Sequence, residues 1–276
     1  QTSLTAVLSA LESTSSAPED FLESVERRNL GFSMRGTYGY KDRYFAEASF
    51  GYNGSERFAR KNKMGFFPAG GLAWVTSAEP FMAGTENWLP FLKFRFSWGK
   101  VGNDGIIDRP LFVHLENLTH YCSNGFVSVR PGENTAAGYA INTYANEDIQ
   151  WEIAEQYNLG MEAKLFKGIL EFTLDVYQQM RHNILDYRRV VPANMGKARS
   201  RGIDFSGKIQ HAFSPDFWVI LNGTFTYTKA VVKELEEAAD KPEWQSRIGH
   251  ELSQPIGYID QGLFRDEAEI ANAAYQ

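Results

Sequence analysis

Apolar and polar residues alternate with a period of two along most of this chain, and the alternation predicts eight β-strands. The first runs from about Leu30 to Tyr40. It sets Phe32, Met34, Tyr38 and Tyr40 against Ser33, Arg35 and Thr37. After the turn Lys41–Arg43, the second (Tyr44 to Asn53) sets Tyr44, Ala46, Ala48, Phe50 and Tyr52 against Glu47, Ser49 and Asn53. The third, near Phe66 to Val75, has Leu72 and Trp74 on its apolar side, and Pro68 weakens its start because proline cannot donate to a ladder. In the fourth, Phe91 to Trp98, Leu92, Phe94, Phe96 and Trp98 oppose Lys93, Arg95 and Ser97. The fifth, from about Glu155 to Leu165, sets Tyr157, Leu159, Met161, Ala163 and Leu165 against Asn158, Glu162 and Lys164. The sixth, Ile169 to Gln178, sets Leu170, Phe172, Leu174 and Val176 against Glu171, Thr173 and Asp175. The seventh, Gly202 to Gln210, sets Ile203, Phe205 and Ile209 against Asp204, Ser206, Lys208 and Gln210. The eighth, Phe217 to Tyr227, sets Val219, Leu221, Phe225 and Tyr227 against Asn222, Thr224 and Thr226.

Two properties of these strands point to an antiparallel transmembrane β-barrel segment. The connections alternate: those after the odd strands are short or moderate, while those after the second, fourth and sixth are longer, with Gly99 to about Trp151 the longest. Membrane barrels have short periplasmic turns and long extracellular loops. The non-apolar faces also carry full charges of both signs: Arg35, Glu47, Lys93, Arg95, Glu162, Lys164, Glu171, Asp175, Asp204 and Lys208. These charges are expected to face a wet lumen. An Arg or Lys on the lipid side costs about 2–4 kcal/mol at the midplane, which keeps the opposite faces free of charge. On this reading residues 1–26 form an extracellular loop segment, in which Leu4–Leu11 makes a short helix. Residues 27–230 form the barrel strands and loops, and 231–276 a further extracellular loop region before the final strands, with Glu234–Asp240 solvated. The chain begins at Gln1 and ends at Gln276, and both ends read as cuts in a longer polypeptide.

Composition agrees. No run of about 18 apolar residues exists, which excludes a transmembrane helix and leaves barrel strands of about 9–11 residues open. Aromatics are 14% of the chain, as aromatic girdles require. The net charge of −6 argues against a nucleic-acid partner. The one basic cluster, Lys197, Arg199 and Arg201 with Arg188 and Arg189, reads as a solvated loop or a pore lining. Cys122 is the sole cysteine, so there is no internal disulfide.

The wording of several segments resembles the SusC/RagA family of TonB-dependent outer-membrane transporters. They are Tyr40–Phe58, Gly65–Trp74, Leu92–Asp104, Trp151-Glu152 with Gln156–Gly160 and Leu165–Gly168, Asn194–Asp204, and Ile256–Phe264. Six pieces in the family's order cover roughly Arg27 to Glu269 and place the chain in the later part of the barrel. The resemblance implies a barrel of about 22 strands in the outer membrane of a Gram-negative bacterium, closed by a plug and driven by the TonB complex. It further implies a SusD-like surface lipoprotein as partner and glycans or oligosaccharides, or else peptides, as the imported substrate. No plug, TonB-interacting box or closing C-terminal strand is recognised here, so the chain alone is not expected to transport.

No catalytic, metal or cofactor site is expected. His114, Glu116, His120 and Cys122 have no zinc spacing, and Asn103, Asp104 and Asp108 lack an EF-hand's ligand pattern. Glu171 and Asp175 share a strand face, as the carboxylates of a glycosidase pair share a cleft, but so do several opposite charges. No nucleophile elbow or phosphate-binding glycine loop is present. The aromatics of the long loop, Phe112, Tyr121, Phe126, Tyr139 and Tyr144, are the candidates for stacking on substrate rings. Two other architectures fit the alternation less well: a self-contained eight-stranded barrel, and a soluble β-sandwich carbohydrate-binding module.

Overall fold

In the computed structural model the alternating segments pair into one antiparallel sheet of nine strands. The structure describes residues 2–13, 27–105, 115–122, 138–188, 191–238, 240–252, 254–255, 257 and 267. The strands are β1 (Thr2–Ser13), β2 (Arg27–Tyr40), β3 (Tyr44–Ser55), β4 (Met64–Val75), β5 (Phe91–Asn103), β8 (Glu152–Leu165), β9 (Leu170–Arg188), β10 (Val191–Ser214) and β11 (Phe217–Glu234), hydrogen-bonded in that order. A separate hairpin, β6 (Asn117–Cys122) with β7 (Gly138–Thr143), lies inside the long connection between β5 and β8.

The register explains why each predicted face holds together. Because side chains alternate, cross-strand partners share a face. One row reads Tyr38, Ala46, Leu72, Phe96, Leu159, Val176, Ile203 and Tyr227 across eight strands. Its large side chains are 42–62% exposed, so the most apolar face of the sheet is uncovered. A neighbouring row runs Leu4, Gly36, Ala48, Gly70, Trp98, Tyr157, Gln178, Arg201 and Lys229. It starts inside the apolar band at β1–β4 and leaves it at β9–β11, where the apolar positions have moved along to Ile203–Ile209 and Leu221–Tyr227. The band therefore crosses the strands obliquely, as tilted and staggered strands of a barrel require.

The ends of the sheet differ as the connection lengths predict. At one end lie the turn Lys41–Arg43, the 3-10 segments Thr76–Ala78 and Pro80–Thr85, the turn Phe166–Gly168 and the Pro215-Asp216 turn. Lys41, Asp42, Phe166 and Lys167 take positive φ there, the backbone reversal of tight turns. Glu79 ties this end together. It accepts from the Tyr44 hydroxyl, from Trp74 Nε1 at 3.2 Å and from Arg43 Nη1 at 3.3 Å. Those donors, Tyr44 first, hold its carboxyl below the usual carboxylate range. At the other end the segment after β11 folds back on itself around Glu237. Lys241 Nζ, Ser246 Oγ and the Arg247 N–H hold that carboxyl down to about 2.

The structure corrects four expectations. Thr2–Ser13 is a strand paired residue for residue with β2, not a helix in a loop. Among the described residues the sheet has nine strands rather than eight, with β1 and β11 as its outermost strands and β11 bridged beyond only at Val231 to Glu251, so it is not a closed eight-stranded barrel. Strands β9, β10 and β11 run 19, 24 and 18 residues, well past the apolar stretches that signalled them. Arg199 and Arg201 sit on β10 in register with Ile203, on the apolar side of the sheet, and belong to neither a loop nor the charged face. Pro68 does lie within β4, and the β4–β5 ladder stops beside it at Ala69.

Candidate functional site: the charged face and the packed end

The ten predicted charges share the face opposite the apolar band, and register decides which of them meet. Lys93 on β5 faces Glu162 on β8, with Nζ 3.3 Å from Oε1. Lys164, Glu171 and Lys208 stand side by side on β8, β9 and β10, and Lys164 Nζ is 3.0 Å from Glu171 Oε1. Arg35 and Glu47 form a diagonal pair across β2 and β3 at 2.7 Å. Each such cross-strand pair contributes about 0.2–1 kcal/mol.

Arg95 does something that alternation alone does not predict. Its direct neighbour on β8 is Gly160, whose neighbour on β9 is Asp175, whose neighbour on β10 is Asp204. The Arg95 side chain lies across Gly160 and reaches Asp175 two strands away, with Nη2 2.6 Å from Oδ2. Asn158 Nδ2 donates to the other carboxylate oxygen at 3.0 Å. Arg95 Nε is also 3.5 Å from Glu162 Oε1, close enough for charge attraction though not aligned as a hydrogen bond. The guanidinium thus offsets the repulsion between Asp175 and Asp204, like charges placed directly opposite. Asp204 Oδ1 is buried without a hydrogen-bond partner in the structure. Gly160 is what makes the span possible: a Cβ there would stand 2.7 Å from both Arg95 Cγ and Asp175 Oδ1. Gly160→Val is expected to expel Arg95 from this position and lower stability by about 1–3 kcal/mol, measured as the temperature at which the full-length protein loses its folded, faster-migrating form on semi-native gels. Equal transition temperatures for variant and parent would show that Arg95 does not depend on that gap.

The second assembly is the long-connection end, where segments distant in sequence close over a small core. Phe58, Phe67, Ile149, Trp151 and Leu185 are buried together, with Ile153 at the margin. The Trp151 ring packs against Phe58 and Phe67, with centroids 5.1 and 5.2 Å apart. Polar clips hold the strands and loops to each other. Arg57 Nη1 donates to the Asp104 carbonyl at 2.8 Å, and Asn62 Nδ2 to the Ile149 carbonyl at 3.0 Å. Glu152 pairs with Arg181. Asn194 imitates a strand residue: its amide accepts from Gln150 N–H at 2.9 Å and donates to the Gln150 carbonyl at 2.8 Å. This core was not visible as a core in the sequence, because its members come from what read as loops and strand ends.

Of the predicted ring-stacking aromatics, Phe112 and Phe126 lie outside the described residues. Tyr121 and Tyr139 are placed on the hairpin strands β6 and β7, and Tyr144, just after β7, is exposed. Among the described residues no group of His, Cys, Asp and Glu could hold a metal.

Residues 7–272 match the family described as TonB-dependent receptor-like β-barrel. The TonB-dependent receptor P3 of Formosa agariphila is 27% identical over 254 residues, covering 89% of this chain and 24% of that protein. The TonB-dependent receptor SusC of Bacteroides thetaiotaomicron is 24% identical over 234 residues, covering 82% of this chain and 23% of SusC. Among solved structures, a chain of the RagAB peptide transporter superposes with a TM-score of 0.68 at 24% identity, over 82% of this chain and 25% of that one. The chain thus spans about a quarter of the length of these relatives.

Proposed function

Because the chain belongs to the TonB-dependent receptor β-barrel family, in its SusC/RagA-like branch, we propose that its nine-stranded sheet is an arc of the barrel wall of an outer-membrane nutrient importer. The single observation that carries this reading is the oblique, uncovered apolar band opposite a face of paired charges. A soluble sandwich buries its apolar face; this one is exposed across the sheet, which suits contact with lipid. The charged face then lines the lumen. Arg95, Asp175, Asp204 and their neighbours would meet a plug or a passing polar solute there. The packed end with the long connections faces the cell exterior, where a SusD-like lipoprotein would sit. TonB would supply energy through parts of the full protein beyond this sheet.

The cargo we favour is an oligosaccharide. The similarity to SusC and the aromatics Phe112, Tyr121, Phe126, Tyr139 and Tyr144 on the outer connection support it, since sugar rings stack on aromatic faces. The likeness to the RagAB peptide transporter keeps peptides as the other class. The role is passage, not chemistry. The test is to delete the gene in the source bacterium and grow it on defined oligosaccharides, on peptides, and on their monomers. Loss of growth on one polymer class, with growth on its monomers intact, is the expected result. Unchanged growth on every oligosaccharide and peptide would overturn the proposal.

A further inference from the structure

The apolar band ends at β9–β11 in a group of cations that the charged face does not use. Arg199 and Arg201 occupy successive outward positions of β10, and Lys229 on β11 stands directly opposite Arg201. Like charges so placed repel, and a fold keeps them at a cost unless something anionic sits between them. The protein supplies little. Arg201 Nε donates to the neutral Gln178 Oε1 at 2.7 Å. Lys229 Nζ is 3.8 Å from Glu251 Oε1, with both side chains more than half exposed. Among the described residues neither Arg199 nor Arg201 has a carboxylate partner.

Immediately below these cations is a groove of about 620 Å³. Its floor is apolar: Leu159, Val176, Ile203 and Tyr227, each exposed, with Arg199, Arg201 and Lys229 at its rim. An apolar channel with cations at one mouth complements a molecule with a long hydrocarbon chain and an anionic head. If the sheet spans a membrane as proposed above, the groove lies along the acyl chains, and the rim lies at headgroup level on the side of the long connections. A free phosphate ion would use only the rim and leave the groove unexplained.

We propose that Arg199, Arg201 and Lys229, with the groove beneath them, bind a phosphorylated multi-acyl lipid of the outer leaflet, its phosphate against the three cations and one acyl chain in the groove. This rests on the barrel reading. Each cation near a membrane surface strengthens binding of anionic lipid about fivefold, so removal of all three weakens it by about a hundredfold.

The test uses the full-length protein purified in detergent, with diphosphoryl lipid A and its phosphate-free form as probes and bound lipid counted by native mass spectrometry. The parent is expected to retain the phosphorylated probe. Arg199→Gln/Arg201→Gln/Lys229→Gln should bind it about a hundredfold more weakly. Lys208→Gln, on the opposite face, should bind like the parent. Should the triple variant fail to assemble, Arg201→Gln alone is expected to lose about fivefold. Undiminished binding by the assembled variants, or equally tight binding of the phosphate-free lipid, overturns the site while leaving the barrel intact. A parent protein that does not migrate as a heat-modifiable barrel instead defeats the reading on which the site rests.

Discussion

An arginine at Leu159 is expected to destabilise the full-length protein in the bilayer by about 2–4 kcal/mol, and one at Thr173 by less than about 1 kcal/mol. The two positions lie on adjacent strands and differ in face. Leu159 stands between Phe96 and Val176 in the middle of the apolar row, more than half exposed. A guanidinium there is set on the apolar face, over the groove whose rim already carries Arg199, Arg201 and Lys229, so it meets apolar side chains and like charge rather than a carboxylate. Thr173 stands directly opposite Glu162 on the charged face, where an added cation gains a carboxylate. Native outer membranes carrying each variant, heated stepwise before electrophoresis, give the comparison. Leu159→Arg should unfold at a much lower temperature or fail to accumulate, and Thr173→Arg should behave like the parent. Similar behaviour of the two would mean that both faces meet water, which the barrel reading forbids. Because the difference between the variants is read in one protein, their shared gain of charge cancels.

The faces were legible in the sequence because a strand's side chains alternate whatever it pairs with. Phe94, Phe96 and Trp98 against Lys93, Arg95 and Ser97 could be assigned without knowing a single neighbour. Partners could not. Arg95 was placed on the right face, yet its tie to Asp175 needs the strand between them to present Gly160 at that level, and only the register supplies this. Strand limits failed for a related reason. Beyond Gln178 and Tyr227 the outward positions become Met180, His182, Lys229 and Val231, and the apolar contrast fades although the ladders continue. In β1 the apolar residues Leu4, Val7, Leu8 and Leu11 are spaced by three or four, which reads as a helix. Twelve consecutive pairs with β2 override that local preference. The oblique apolar band is likewise a property of the assembled sheet, since no one strand reveals that its apolar stretch is displaced from its neighbour's.

Removing the Trp151 side chain is the second large effect expected. Its ring packs against Phe58 and Phe67 in a buried cluster with Ile149 and Leu185, to which the β3–β4 connection, β4, the approach to β8 and β9 each contribute. Large-to-small replacement of a buried Trp costs about 3–5 kcal/mol, of which each aromatic contact accounts for about 0.5–1.5 kcal/mol beyond area. The loss should be local, because the neighbouring ladders of β8 with β5 and β9 continue for many residues away from this end. Trp151→Ala is therefore expected to loosen the segment between β3 and β4 and the approach to β8 while the barrel stays folded. Trypsin reports this. Arg57 and Lys61 are anchored in the parent, the first to the Asp104 carbonyl and the second to Asp148 at 2.5 Å. Cleavage near them should become many times faster in Trp151→Ala, with heat-modifiable migration retained. Trp151→Phe, which keeps a ring between Phe58 and Phe67 and removes the unpartnered Nε1, should restore most of the resistance. Parent-like resistance in Trp151→Ala would show that the polar clips alone hold this end, and the aromatic core would then be packing without structural consequence for the outer mouth.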